Sequence, residues 1–196
     1  VSAYAKWRGS DHVYGSTTSF KTQGRPVTTL NSPSASGSVT DVRPNLEFTG
    51  NDPDNNQITY QLQLNPTNSF TSPSLDVLSA SNTGFTNRSD VKTDPFYSGN
   101  QIRYTLQTDL ARGSDYYWRV RGRDTNGSDT WGEWTTARKF TVSAIAPTVT
   151  ITGFSDILDT SLKVNGTIAD NGGATVTERG AVLSTSPNPT TANLKF

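Results

Sequence analysis

The sequence predicts an all-β protein made of antiparallel β-sandwiches in tandem, and three observations support that prediction. Alternating apolar and polar residues recur along the 196-residue chain, whereas no stretch shows the period of a helix. Clusters of Gly, Pro, Asn and Asp separate these stretches at intervals typical of sandwich strands. Hydrophobic residues make up 32% of the chain and charged residues only 17%, which suits sheets with one solvated face.

Six alternating stretches are the clearest predicted strands. In chain order they are 46–50, 58–64, 102–108, 116–122, 149–153 and 162–168. Turn clusters follow or separate them at 50–56, 65–69, 125–129, 170–174 and 186–190. Strands of this length with turns between them are expected to pair as antiparallel neighbours.

Two segments of the chain resemble each other. Both run from an alternating strand through Gly-Ser-Asp and an aromatic-Gly pair to a Phe. The matching positions are Gly9 to Asp11, Tyr14, Gly15 and Phe20 in the first segment, and Gly127 to Asp129, Trp131, Gly132 and Phe140 in the second. A proline follows each segment, at Pro26 and Pro147, where it can begin a strand without an amide donor. The same structural unit therefore ends at two places in the chain, and a new unit begins at the proline after each of them.

The residues before the 116–122 strand form a second recognisable pattern. Leu110, Gly113 and Tyr116 have the spacing of a tyrosine corner, in which the Tyr hydroxyl bonds to the upstream backbone. In this respect the middle of the chain resembles a fibronectin type III module, an immunoglobulin-like β-sandwich. The flanking segments resemble a divergent branch of the same superfamily found in bacterial or phage extracellular repeat proteins. Leu46 and Phe48 stand where the family usually has a strand-B Trp, and no RGD motif is present.

The resemblance implies one complete and two partial modules. Residues 1–25 would be the closing strands F and G of a preceding module, 26–145 a complete module, and 146–196 the opening strands A to C′ of a following one. The complete module has a long insertion between strands C and E, at about 65–99, which is either a contact loop or a C′ region covering a sheet edge.

Two explanations of the partial modules remain open. The sequence is a window on a longer chain, or head and tail complete one sandwich between successive chains. We favour the window, because the head and tail together still lack a strand E.

The segment 118–134 contains the candidate contact residues. Arg119, Arg121 and Arg123 lie on one face of a predicted strand, and Trp131 and Trp134 open the neighbouring one. We expect them to interleave as a cation–π ladder that stiffens the F–G hairpin, each exposed pair contributing ~0.5–1 kcal/mol. The arrangement is similar to the WSXWS arrangement of cytokine receptors. The alternative is an aromatic patch that faces a ligand.

Catalytic and metal sites are not expected. Asp52 and Asp54 in the segment 50–57 fall short of the six to eight oxygens that calcium needs, so a turn is predicted there. His12 is the only histidine and is predicted to be an exposed turn residue rather than a catalytic base. No Walker loop, GxSxG elbow or HExxH motif occurs. We therefore expect no enzyme activity, no metal and no cofactor.

Charge and composition narrow the classes of partner. Seventeen Lys and Arg balance seventeen Asp and Glu, which argues against nucleic acid. No apolar run approaches the ~20 residues of a membrane helix, so membrane insertion is not expected. The absence of cysteine excludes disulfides and thiol chemistry.

The expected function is that of a non-enzymatic structural or adhesive repeat protein, extracellular or on a cell or virion surface. It would act as a rigid spacer and contact surface, with neighbouring modules, identical chains, a surface protein or a glycan as partners. One alternative is a virion component, such as a phage tail fibre or decoration protein, or a filament subunit assembled by strand complementation. Another is a carbohydrate-binding accessory module.

Overall fold

A computed structural model describes residues 2–6, 12–19, 22–81, 83–87, 89 and 94–196 of the chain. These residues form fifteen strands joined by turns and loops, and no helix occurs among them. The predicted all-β class with antiparallel sheets is therefore confirmed. The described part of the chain contains no helix with the length and hydropathy that a membrane span requires.

The strands are short, as the alternating stretches predict. In chain order they are β1 (Tyr4–Lys6), β2 (His12–Tyr14), β3 (Val27–Ser32), β4 (Gly37–Val39), β5 (Asn45–Asn51), β6 (Ile58–Asn65), β7 (Leu75–Leu78), β8 (Phe85–Asn87), β9 (Gln101–Thr105), β10 (Ser114–Asp124), β11 (Arg138–Val142), β12 (Thr148–Ser155), β13 (Lys163–Asp170), β14 (Val182–Leu183) and β15 (Leu194–Lys195).

Strands β3 to β11 form a sandwich of two sheets. One sheet has the order β3-β5-β9-β8 and the other the order β4-β11-β10-β6-β7. All neighbours are antiparallel except β4 and β11, which run parallel. With immunoglobulin strand letters the sheets are A-B-E-D and A′-G-F-C-C′, so the first has the order of a constant-type ABED sheet.

The segment 65–99, predicted as an insertion, contains two edge strands. β7 pairs with β6 at the edge of one sheet, and β8 pairs with β9 at the edge of the other. The segment thus covers sheet edges, which was one of the two alternatives that the sequence left open.

Inward side chains of the two sheets form one hydrophobic core. Along β10 the residues alternate, with Trp118 and Val120 buried and the residues between them half-buried. Leu46 and Phe48 of β5 are fully buried on the opposite sheet. Burying each such side chain stabilises the fold by about 1.5–3 kcal/mol relative to leaving it exposed.

The tyrosine corner predicted from the spacing of Leu110 and Tyr116 is present. The N–H of Ala111 donates a hydrogen bond to the Tyr116 hydroxyl at 3.0 Å. The Tyr116 ring stacks on Phe140, with ring centres 5.9 Å apart. This contact ties the loop between β9 and β10, the E–F corner, to the last strand of the sandwich.

The remaining strands form two-stranded ribbons before and after the sandwich. The pairs are β1–β2, β12–β13 and β14–β15. In β12–β13 the directly opposed residues include Val149 with Ile168 and Phe154 with Val164, which gives the ribbon one apolar face. This face is open, since Val149 and Phe154 are 64% and 60% exposed. The assignment of these ribbons to partial modules stays a prediction, and Gly9 to Asp11 and Phe20 lie outside the described residues.

Candidate functional site

Arginine and aromatic side chains alternate in a stack on the outer face of β10. The structure brings all five predicted contact residues into this stack and adds Phe70 from the loop after β6. Consecutive members lie 4.2–5.1 Å apart, measured from guanidinium carbon to ring centre. We name this stack the arginine–aromatic ladder, and its order is Phe70, Arg119, Trp134, Arg121, Trp131 and Arg123.

The backbone of residues 131–135 places the tryptophans over the arginines. The N–H of Gly132 donates to the carbonyl of Gly122 at 2.8 Å, and the N–H of Thr135 donates to the carbonyl of Val120 at 2.9 Å. The Thr135 hydroxyl also accepts the N–H of Val120 at 3.0 Å. This segment therefore runs beside β10 as an irregular extra strand. Side chains from both then project on the same outer face.

Two of the ladder arginines are held by glutamines of the neighbouring strand β6. Arg119 donates two hydrogen bonds to the Gln63 amide oxygen at 2.9 and 2.7 Å, and Arg121 donates two to Gln61 at 2.9 and 2.7 Å. The amide nitrogens of both glutamines donate to Asp76 at 2.7 and 2.8 Å. One carboxylate on β7 thus orders two guanidinium groups on β10.

Packing within the ladder changes the acidity of these arginines. Burial lowers the pKa of Arg119, and the positive charge of Arg121 lowers it further. Burial also lowers the pKa of Arg121, against the opposing effect of Asp76. Arginine side chains are effectively always protonated in proteins, so both guanidinium groups carry a positive charge at neutral pH. The ladder is therefore a row of fixed positive charges separated by aromatic rings.

The tryptophan rings are already engaged by protein cations. Trp134 has two guanidinium carbons at 4.3 and 4.4 Å from its ring centre, and Trp131 has two at 4.7 and 5.1 Å. Both side chains are half-buried. This geometry is that of a self-contained stack. A role of the ladder in contacting a partner stays a prediction.

The structure also shows where the other residues singled out from the sequence lie. One Asp52 carboxylate oxygen accepts the N–H groups of Asp54 and Asn56 at 2.9 and 3.0 Å, which is the hydrogen bonding of a tight turn. Among the described residues no three His, Cys, Asp or Glu side chains converge as a metal site. His12 lies at the start of β2 rather than in a turn, is exposed, and contacts the Tyr4 ring at 5.1 Å between ring centres.

A second candidate site consists of the two junctions on either side of the sandwich. Before it, the N–H of Gly24 donates to the Asp54 carboxylate at 2.7 Å. After it, the N–H of Ile145 donates to the carbonyl of Gly172 at 2.9 Å. The first connecting segment is thus bonded to the turn between β5 and β6, and the second to the turn between β13 and β14.

The turns that receive these bonds are built alike. The Asp52 carboxylate accepts the N–H of Asp54, and the Asp170 carboxylate accepts the N–H of Gly172 at 2.8 Å. In both turns the residue that accepts the junction hydrogen bond comes two positions after the aspartate whose carboxylate bonds within the turn. The junction donor is in both places the second residue before a proline.

Two glycines lie so close to neighbouring backbone at the second junction that neither has room for a side chain. A Cβ on Gly172 would lie 2.0 Å from the carbonyl oxygen of Ile145, and a Cβ on Gly113 would lie 2.2 Å from that of Gly173. Gly172 and Gly113 also have φ of +70° and +68°, which glycine adopts at little cost. The turn after β13 therefore packs directly on the E–F corner.

The first ribbon repeats a bond of the sandwich. The N–H of Gly15 donates to the carbonyl of Ala3 at 2.8 Å, as Gly132 donates to Gly122. Both donors follow an aromatic residue in the repeated sequence pattern. The described part of the first segment thus has the backbone pairing of the F–G tip.

Comparison with known proteins adds little to these observations. No family model matches the sequence, and no curated protein matches it. Among solved structures the chain is similar to the PKD domain of M14-like peptidase from Thermoplasmatales archaeon SCGC AB-540-F20, with 15% sequence identity and a TM-score of 0.38. The match covers 63% of this chain and 97% of that one. The all-β sandwich is established by its own strand order and core, and tandem fibronectin type III modules stay a prediction.

Proposed function

We propose that the chain is a non-enzymatic structural segment of an extracellular or surface-exposed repeat protein, in which fibronectin type III-like modules act as rigid spacers. The observation that carries the proposal is the repeated junction. The bonds from Gly24 to Asp54 and from Ile145 to Gly172 join corresponding sequence positions, with a side-chain carboxylate as the first acceptor and a backbone carbonyl as the second. A connecting segment that is bonded to the following turn at both junctions restricts how each unit can move relative to the next.

The second junction has few free rotations. Only five residues separate the end of β11 at Val142 from the start of β12 at Thr148. Pro147 fixes one backbone angle, and the N–H of Ile145 is bonded. A link this short and this constrained belongs to the stiff regime of linkers rather than the flexible one.

The arginine–aromatic ladder fits the same function. Arg123 pairs with Trp131 at the F–G end of β10, so the ladder fastens the F–G segment to the sheet. A carbohydrate-binding role would require a sugar to displace arginines that already stack on Trp131 and Trp134. We therefore prefer the function of a spacer to that of a carbohydrate-binding module.

A filament subunit is a second candidate, favoured by the open apolar face of β12–β13. A closing hairpin of the β1–β2 type from a second copy would cover this face. Light scattering over a range of concentrations tests it. Self-association that is lost in Phe154→Ser supports the filament subunit, and a monomer at high concentration rules it out.

Distance measurements between spin labels test the rigid junction. The chain lacks cysteine, so Thr105→Cys on β9 and Thr150→Cys on β12 give one labelled pair. We expect a narrow distance distribution. Gly172→Asn should broaden it, because Asn tolerates positive φ but its Cβ would overlap the Ile145 carbonyl.

The matched control is Lys163→Ala, an exposed change at the far end of β13 that leaves both the junction and the surroundings of the label intact. It should keep the narrow distribution. A broad distribution in the unaltered chain would contradict the spacer, as would equal widths for Gly172→Asn and the control.

A further inference from the structure

Asparagine followed by glycine occurs three times in the chain, at Asn126, Asn165 and Asn171. Asparagine is one of the thermally labile residues of proteins, and its side-chain amide can be attacked by the backbone nitrogen of the next residue. Glycine obstructs this attack least, because it has no side chain. The three pairs are chemically alike in sequence, so differences between them in the folded chain come from the structure.

Two of the three pairs are held by the fold. The pair that begins at Asn165 lies inside β13, whose backbone is paired with β12. In the turn after β13, the N–H of Gly172 donates to the Asp170 carboxylate at 2.8 Å. The Asn171 side-chain oxygen accepts the N–H of Gly173 at 3.0 Å. The attacking nitrogen and the attacked amide of this last pair are thus each engaged elsewhere.

The remaining pair lies in the turn after β10 and is not held in this way. Asn126 is exposed, and among the described residues neither its side chain nor the N–H of Gly127 has a hydrogen-bond partner. The turn is anchored beside the pair, where the Ser128 hydroxyl and the Asp129 N–H donate to Asp124 at 3.0 and 2.9 Å. The side-chain carbon of Asn126 can therefore approach the Gly127 nitrogen without the loss of a hydrogen bond.

We propose that Asn126 and Gly127 form a self-modification site, at which the chain converts its own asparagine to aspartate and isoaspartate. The Gly127 nitrogen loses its proton and bonds to the Asn126 Cγ. The bond from Cγ to the side-chain nitrogen breaks, and ammonia leaves with that proton. Water then opens the succinimide ring: attack at Cγ gives aspartate, and attack at the main-chain carbonyl gives isoaspartate, whose backbone contains an additional carbon.

The product changes the contacts between this turn and the first connecting segment. A Cβ on Gly127 would lie 2.4 Å from both Asn56 Nδ2 and Asp124 Oδ2, so the glycine packs against both side chains. Asn56 in turn donates to the Gln23 side-chain oxygen at 3.1 Å. An additional backbone carbon displaces Gly127 from these groups, and the new carboxylate adds a negative charge close in sequence to the buried Asp124. This inference goes beyond the spacer function, because the reaction depends only on the turn.

Peptide mass spectrometry of aged protein tests the site. The whole chain is incubated at mildly alkaline pH, where the attacking nitrogen loses its proton more readily, and conversion is followed at all three pairs. We expect conversion at Asn126 to be at least about fivefold faster than at Asn165 or Asn171, because the latter two must first open locally. In urea the three rates should become similar. Similar rates in the folded chain, or a difference that persists in urea, would overturn the proposal.

Substitution of Asp170 tests whether a hydrogen bond on the attacking nitrogen limits the reaction. Asp170→Ala frees the Gly172 N–H and should speed conversion at Asn171 at least about twofold, with the rate at Asn126 unchanged. Asp170→Asn is the matched control, because it keeps an oxygen acceptor and should leave conversion at Asn171 slow. No increase in Asp170→Ala would show that this bond does not protect Asn171, and the reason to single out Asn126 would be lost.

Nuclear magnetic resonance of the same samples measures the effect on the connecting segment. The side-chain amide resonances of Asn56 should shift as the protein ages, because Gly127 packs against that amide. In Asn126→Gln, which removes the reactive pair, the resonances should keep their positions over the same time. Resonances that stay unchanged in the converted protein would refute the displacement of Gly127.

Discussion

The β3–β5 pair of the sandwich and the β12–β13 ribbon have similar alternating patterns and very different environments. Both are antiparallel pairs of alternating strands, each preceded by a proline. Phe48 on β5 is fully buried, whereas Phe154 on β12 is 60% exposed. The first pair faces a second sheet and the ribbon does not. Alternation therefore determines which face of a strand is apolar, and a facing sheet determines whether that face is buried.

Truncation of buried and exposed aromatic residues should show the largest difference between the two regions. Trp118→Ala removes a fully buried side chain and should reduce the free energy of unfolding by about 3–5 kcal/mol. Phe154→Ala should change it by less than about 0.5 kcal/mol, as expected for a surface position. Urea unfolding monitored by fluorescence measures both. A large effect of Phe154→Ala would mean that the ribbon packs against another surface.

The arginine–aromatic ladder should contribute less than the core, because it lies on the outer face. Trp134→Ala removes two cation–π contacts and should cost about 1–2 kcal/mol of unfolding free energy, at 0.5–1 kcal/mol for each pair. Tyr97→Ala serves as the control, because it removes an exposed aromatic side chain of the sandwich that has no such contact in the described structure. The same loss for both variants would show that Trp134 contributes only its surface area.

The sequence predicted this ladder only in part, for a physical reason. Arg119 and Arg121 were identifiable because alternation along one strand places them on one face. Phe70 was not, because a loop reaches the ladder only through the tertiary fold. Gln61 and Gln63 alternate outward on β6, which was visible in the sequence, but their pairing with arginines depends on the register between β6 and β10.

The fold was predictable to a greater extent, with an equally specific exception. The spacing of Leu110, Gly113 and Tyr116 predicted a corner that the structure shows, because that geometry is local. The strands within 65–99 were less clear. β7 and β8 are only four and three residues long, so their alternation is weak, and both exist through pairing with longer neighbours.

Removing the hydrogen bond of the tyrosine corner should reduce the free energy of unfolding by no more than Trp134→Ala does. Tyr116→Phe keeps the ring against Phe140 and removes only the hydroxyl that accepts the Ala111 N–H. We expect a cost of about 0.5–1.5 kcal/mol in unfolding free energy. Tyr14→Phe on the first ribbon is the matched change at an exposed ring and should leave the urea midpoint unchanged. If both variants are neutral, the corner bond does not stabilise the sandwich.

The smallest expected effect is the pH dependence from an exposed ion pair between β10 and β11. The hydrogen bond from Lys139 is the main cause that lowers the pKa of Asp115, and a second bond comes from Thr141. The hydrogen bond to Asp115 likewise raises the pKa of Lys139. The contribution of Asp115 to the free energy of unfolding is therefore complete above its ordinary pKa of about 3.9. It is lost as pH falls through the lowered pKa of the folded state. The contribution of Lys139 to the free energy of unfolding is complete below its ordinary pKa. It is lost as pH rises through the raised pKa of the folded state.

Asp115→Asn should thus lower the urea midpoint slightly at pH 7 and have a smaller effect at a pH below the lowered pKa of the native carboxyl. Glu178→Gln removes the partner of Lys195 in the region after the sandwich. It should not shift the midpoint of the sandwich at either pH, since Glu178 and Lys195 both lie outside the sandwich core. A shift caused by Glu178→Gln would show that the two regions unfold as one cooperative unit. The sandwich and the strands after it would then unfold together, although they form separate sheets and differ in burial.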